Sequence, residues 1–119
     1  METISHHGRE TAYRAFQQRG NGPTVLAVHG SGGTHRVWSA QAKLGSEYPF
    51  VALDLSGHGE SDDVAAEPGY ETLSAYVDDA VAVAETVDAD VLMGNSLGGA
   101  VVLTALLERE VDIDGDVLT

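Results

Sequence analysis

Apolar residues fall along this chain in two rhythms. Thr24–His29 (TVLAVH), Phe50–Leu55 (FVALDL) and Asp90–Gly94 (DVLMG) are short apolar runs, rich in β-branched residues and bounded by glycine or proline. Runs of that length without polar alternation predict strands buried on both faces, as in a parallel sheet. Between them the spacing is helical. Leu73, Val77, Ala80, Val81, Ala84 and Val87 predict a helix over Leu73–Val87, with Asp78, Asp79 and Glu85 on its other, polar face. A shorter helix is expected over Arg36–Leu44, with Val37, Trp38 and Leu44 as its apolar side. Leu97–Arg109 is apolar almost all round, as suits a helix packed tightly on a sheet. Tyr13–Gln17 reads as an earlier strand, Gly115–Thr119 (GDVLT) as the opening of a later one, and Glu60–Gly69 (ESDDVAAEPG) as a polar surface loop.

Strands alternating with helices give right-handed crossovers, and hence one α/β domain over residues 1–119. The expected architecture is three-layered, a mostly parallel sheet with flanking helices. A hydrophobic content of 43% is enough for a core. The absence of cysteine excludes disulfides, thiolate catalysis and cysteine-based metal sites. No basic start leads into an apolar segment, and no apolar run approaches membrane-spanning length, so a soluble cytoplasmic protein is the expectation.

Charge changes the picture more. There are 19 Asp+Glu against 6 Lys+Arg, a formal net charge of -13. The acids are scattered, with no acidic tail. Such a surface repels nucleic acid and anionic lipid, so neither is an expected partner. Self-repulsion is tolerable where salt screens it, so this balance suggests a salt-loving source, with an ordinary acidic cytosolic protein as the plainer alternative.

In an open parallel sheet, ligands bind beyond the carboxyl ends of the strands. Three glycine-rich polar segments fall there: HGSGGTH (His29–His35), DLSGHGES (Asp54–Ser61) and GNSLGG (Gly94–Gly99). The last is a G-x-S-x-G pattern, placed immediately after a strand and at the start of a helix. A tight strand-to-helix turn brings backbone segments together on either side of Ser96. Glycine at 94 and 98 relieves the clash and leaves the serine Oγ projecting at the tip. The helix N-terminus beneath it offers free N–H groups to a developing oxyanion. A plainer role for Ser96 is to cap that helix. Capping does not call for small residues on both sides.

With these residues in view, the chain resembles the N-terminal half of an α/β-hydrolase of the serine-nucleophile type, from roughly Thr24 to Thr119. Three segments match in order: the HG-containing loop, D-x-x-G-H-G-x-S and G-x-S-x-G-G. The resemblance implies that Ser96 is the nucleophile and that the backbone N–H groups of Ser31 and Leu97 form the oxyanion hole. It implies supporting roles for His29, Gly30, Gly94, Gly98, Gly99, Asp54 and His58, the last as a loop organiser rather than a base. His6, His7 and His35 are expected to be solvated surface residues. The implied substrate is a small molecule with an ester, thioester or similar acyl group, and neither metal nor organic cofactor is needed. Serine at the elbow argues against family members that open epoxides through an alkyl-enzyme. Runner-up chemistry is C–C bond hydrolysis, because GNSLGG also resembles the elbows of such enzymes.

A dinucleotide-binding layout fits less well. G-x-G-x-x-G beginning at Gly30 would need glycine at 35, where His35 stands, and no G-K-[ST] follows to make a P-loop.

In the family the triad runs Ser…Asp/Glu…His, and neither the acid nor the histidine has a counterpart in this sequence. Asp112, Asp114 and Asp116 are expected to lie before the final strand, on the wrong edge of the sheet. The expectation is a partial chain, a split enzyme completed by self-association or a complementing chain, or a hydrolase-like binding module without turnover. An unpaired sheet edge and uncovered apolar faces would favour such association.

Overall fold

The computed structural model describes residues 1–17, 22–44, 48–64, 72–109, 111, 113 and 115–118. Six strands form one sheet: β1 (Glu2–His6), β2 (Arg9–Gln17), β3 (Val25–Val28), β4 (Phe50–Leu53), β5 (Val91–Gly94) and β6 (Gly115–Leu118). Three helices accompany them: α1 (Ser39–Leu44), which follows a 3₁₀ turn at His35–Trp38, α2 (Thr72–Val87) and α3 (Leu97–Glu108). The strand order is β1-β2-β4-β3-β5-β6. β4, β3, β5 and β6 are mutually parallel, whereas β1 and β2 form an antiparallel hairpin whose second strand also runs antiparallel to β4. The sheet is therefore mixed, its parallel half lying where the apolar runs predict it.

All residues of β3 and β4 are buried, and alternate side chains feed two cores. Leu26, Val28, Val51, Leu53 and Leu92 pack with Val77, Ala80, Val83, Val101, Val102 and Ala105 of α2 and α3. On the opposite face Val25, Ala27, Phe50 and Ala52 meet Trp38 and Ala42. Each fully buried Val or Leu contributes roughly 1.5–3 kcal/mol. The layers are thus α2 and α3, then the sheet, then the 3₁₀ turn with α1.

Several expectations require correction. The strand expected at Tyr13–Gln17 begins at Arg9 and is preceded by β1. The connecting turn holds His7 at φ 49° and Gly8 at φ 74°, as a two-residue type I′ hairpin requires. β1 escapes an apolar-run search because it is a polar edge strand. Val37 is exposed, leaving Trp38 to anchor the short helical segment, and Leu73, Leu103 and Leu107 also face solvent. Asp78 and Asp79, expected on an outward face, are buried. Asp79 accepts from Arg9 Nε (3.2 Å) and Nη2 (3.0 Å), from Thr11 Oγ1 (3.2 Å), and from Ser56 N (2.8 Å) and Oγ (2.6 Å). Asp78 pairs with Arg109 and lies 3.6 Å from His7 Nε2. Asp116 lies within β6, beside Leu92, rather than before the strand. Asp112, Asp114, the Leu44 side chain and residues 65–69 of the expected polar loop lie outside the described residues. No described helix is long and apolar enough to cross a membrane.

Candidate active site

β3 has β4 on one side and β5 on the other, so successive crossovers leave it in opposite directions. Ligands of open sheets bind where the strand order reverses in this way, at the carboxyl ends of the strands, here β3 and β5. His29 and Gly30 follow β3, and Asn95 and Ser96 follow β5.

The turn at Ser96 is as cramped as its glycines suggest. A Cβ on Gly94 would lie 2.3 Å from the Gly98 carbonyl oxygen, and one on Gly98 would lie 2.0 Å from the Val28 carbonyl oxygen. Gly98 thus lets α3 press directly on β3, and Gly99 is buried beside it in the first helical turn. Ser96 itself sits at φ 57°, ψ −116°. A non-glycine residue held in such a sparsely populated conformation costs of order 1–3 kcal/mol, and such strain clusters at functional sites. Ser96 is exposed, and its side chain makes no capping hydrogen bond. The helix-cap role therefore fails.

The glycine loop after β3 abuts this elbow. A Cβ on Gly30 would lie 3.3 Å from the Asn95 carbonyl oxygen and 3.5 Å from Ser96 Cβ. Gly33 N donates to Gly30 O at 3.0 Å, and Gly32 takes φ 75°, the signature of a type II turn with glycine at its third position. Ser31 follows Gly30, which abuts Ser96, and Leu97 follows Ser96 in the chain. Among the described residues, neither backbone N–H donates a hydrogen bond.

Both histidines near the elbow are tied down. His29 is fully buried, and its Nε2 accepts the Leu55 N–H at 3.0 Å. The ring proton must then be on Nδ1, which donates to the Gly30 carbonyl at 2.7 Å. Burial holds its pKa below the ordinary value; the Gly30 bond opposes that shift and His58 adds to it. His58 is arranged in the same way, with Nε2 accepting the Gly32 N–H at 3.1 Å and Nδ1 donating to the Ser56 carbonyl at 3.0 Å. The two rings lie 4.9 Å apart. Neither acceptor nitrogen is available to Ser96.

Asp54 is fully buried and acts as a hub. Its carboxylate accepts from His35 N (2.7 Å), His35 Nδ1 (2.9 Å) and Glu60 N (3.0 Å). Burial alone would raise its pKa, but these hydrogen bonds outweigh burial and hold the carboxyl below its ordinary value. A Cβ on Gly59 would meet the same carboxylate at 2.3 Å, which explains why the loop carries glycine there.

His35 is accordingly a buried partner of Asp54, contrary to its expected place on the surface. His6 is also largely buried, with Nε2 2.7 Å from Thr11 Oγ1 and 3.1 Å from Asp79; only His7 is solvated as expected. Asp79, which anchors Ser56 beneath the site, is the residue that sequence reasoning missed most completely. It carries no local motif, and its partners lie far away in the chain. A separate cleft of about 500 Å³, bordered by Glu85, Asp88, Asp90 and Arg109, lies at the amino end of β5, and among the described residues its lining holds no nucleophile. No group of three or more metal-ligating side chains is assembled among the described residues.

Comparison with known proteins agrees with this fold. An uncharacterised protein of Mycobacterium tuberculosis is 34% identical over 91 residues, which span 76% of this chain and 26% of that protein. Protein phosphatase methylesterase 1 of Bos taurus is 31% identical over 109 residues, covering 85% and 28%. The crystal structure of an epoxide hydrolase from Vigna radiata superposes with a TM-score of 0.83 at 26% identity, over 98% of this chain and 38% of that one. The chain thus spans just over a quarter of the length of these two curated relatives. The sequence pattern of the alpha/beta hydrolase family matches residues 25–119, and the chain belongs to that family.

Proposed function

We propose that this chain carries the nucleophile half of a serine hydrolase acting on an ester or similar acyl bond. The observation that carries the reading is Ser96: exposed, at φ 57°, and free of any capping bond. In the reaction, Ser96 Oγ attacks the acyl carbon and loses its proton to a base. The carbonyl electrons move onto oxygen, where the N–H groups of Ser31 and Leu97 receive the negative charge. Collapse breaks the bond to the leaving alcohol, which takes the proton, and water then releases the acid from the serine ester. Serine suits acyl transfer, and a methylesterase stands among the relatives.

The base is the open requirement. A hydroxyl is a weak nucleophile without one, and both histidines beside the elbow already use their acceptor nitrogens. The proposal therefore assigns acid and base to residues outside this chain.

A fluorophosphonate probe followed by peptide mass spectrometry is the direct test. An adduct is expected on Ser96, and none with Ser96→Ala. Added imidazole, standing in for the base, should raise p-nitrophenyl acetate hydrolysis above imidazole alone in the unsubstituted chain but not in Ser96→Ala. A folded chain that shows neither response is a binding module, and the hydrolase reading fails.

A further inference from the structure

The His58 ring lies beside that of His29, just past β3, and holds the apex of the glycine loop. Its Nε2 accepts the Gly32 N–H at 3.1 Å, and this amide belongs to the central peptide of the Gly30–Gly33 turn. A type II turn is defined by the orientation of that peptide, so the acceptor on His58 selects the turn's conformation. The histidine is fixed in turn. Nδ1 donates to the Ser56 carbonyl at 3.0 Å, while Ser56 N and Oγ are held by the Asp79 carboxylate, itself paired with Arg9. A continuous chain of contacts thus runs from the buried ion pair to the peptide next to the Ser31 N–H.

We propose that His58 is a proton-sensitive positioning residue: neutral, it pins the loop that carries the Ser31 N–H beside Ser96, and protonated, it releases it. This rests on the serine-hydrolase reading given above. The chemistry is simple. Nε2 can accept from Gly32 only while unprotonated; a proton there sets donor against donor. The Ser31–Gly32 peptide then loses its anchor, and glycine at Gly32 leaves it free to turn over.

Several groups surround this ring. The His29 ring lies 4.9 Å away at the end of β3, and Tyr76 of α2 lies 5.9 Å away, edge to face. The nearby carboxylates already have partners, Asp54 with His35 and Asp79 with Arg9. Asp63, in the same loop, accepts from Val64 N. No other side chain among these contacts offers Gly32 an acceptor.

The test pairs a readout independent of catalysis with one that depends on it. In nitrogen-resolved NMR of the chain, the Gly32 amide should shift with the same midpoint as the His58 ring. A Gly32 amide indifferent to that titration overturns the proposal, whatever Ser96 does. Fluorophosphonate labelling of Ser96 should fall on acidification. His58→Ala should slow it about 10-fold, short of the ~10²–10³ typical for loss of an oxyanion donor itself. His58→Gln, whose amide oxygen can accept but not titrate, should restore most of that loss and flatten the pH profile. Labelling with the same pH profile in His58→Gln overturns the proposal while leaving Ser96 as nucleophile. Absence of labelling in every variant at every pH overturns the underlying serine-hydrolase reading, and the proposal with it.

Discussion

Gly98 stands where α3 crosses the end of β3, and a methyl group there would have to occupy the space of a backbone oxygen. The Val28 carbonyl oxygen, at the end of a central strand, would be 2.0 Å away and that of His29, just beyond it, 2.7 Å. Gly98→Ala should therefore destabilise the fold by about 1–3 kcal/mol or more and tilt Ser96 out of place. Gly115→Ala is the control. Its Cβ would meet nothing within 4 Å, so its effect should stay within about 0.5 kcal/mol. Urea unfolding of both variants decides the matter, and equal costs would remove the steric account of the elbow.

Acid should also unfold the chain through individual residues. His29 has a folded-state pKa below its ordinary 6.5, chiefly because it is buried. Protons then bind the unfolded chain more tightly, so its contribution is complete above pH 6.5 and is lost as pH falls towards the folded value. His6, also lowered chiefly by burial, acts in the same direction. Asp54, held below its ordinary 3.8 by hydrogen bonds that overcome burial, adds a second loss beneath that value. Urea midpoints measured from pH 8 to pH 3 should fall in two stages, and a midpoint that rises below pH 6.5 contradicts these assignments.

At the scale of elements, the hairpin and α2 are joined by polar contacts rather than by apolar packing alone. Arg9 of β2 reaches Asp79 at 3.0 Å and also donates to the Ala75 carbonyl at 3.1 Å and to Ser56 Oγ at 3.1 Å. Asp79→Ala leaves that guanidinium buried without its counter-ion, which should cost about 3–5 kcal/mol. Replacing both partners, as Arg9→Met with Asp79→Leu, should cost much less, since neither charge is then stranded. Denaturant unfolding of the single and double variants gives the comparison, and a double variant as unstable as the single would contradict it.

The same elements show which features a sequence can disclose. Strands β3, β4 and β5 and the Ser96 elbow were legible because their causes are local: unbroken apolar runs, and glycines where backbone meets backbone. Helix α2 was legible in extent but not in orientation. Its aspartates resemble a solvated face until Arg9, from a strand 70 residues away, is brought against Asp79, and Arg109 against Asp78. His35 was misread for the same reason, since its partner Asp54 lies 19 residues further on. Patterning assigns polar side chains to water by default, and only tertiary structure can supply a buried partner.

At the scale of the whole molecule, electrostatics divides into two regimes. The buried carboxylates of Asp54, Asp78 and Asp79 each have a cationic or hydrogen-bonding partner. Glu2, Glu10, Glu60, Asp62, Asp63, Glu85, Asp88 and Glu108 instead face water, and Arg9 and Arg109 are already engaged with Asp79 and Asp78. With a formal charge of -13, folding brings unscreened like charges together and works against itself. Salt acts on the two regimes unequally. The Debye length falls from about 8 Å at physiological ionic strength to about 3 Å at 1 M, weakening exposed repulsion far more than buried attraction. The urea midpoint should therefore rise from 0.1 to 2 M KCl. Neutralising exposed carboxylates in Glu85→Gln/Asp88→Asn should reduce that dependence, and asparagine tolerates the φ of 52° at position 88. A midpoint that is flat or falls with KCl would mean that surface repulsion does not limit this fold. A rise left unchanged in the double variant would mean that salt acts through apolar burial instead of charge screening.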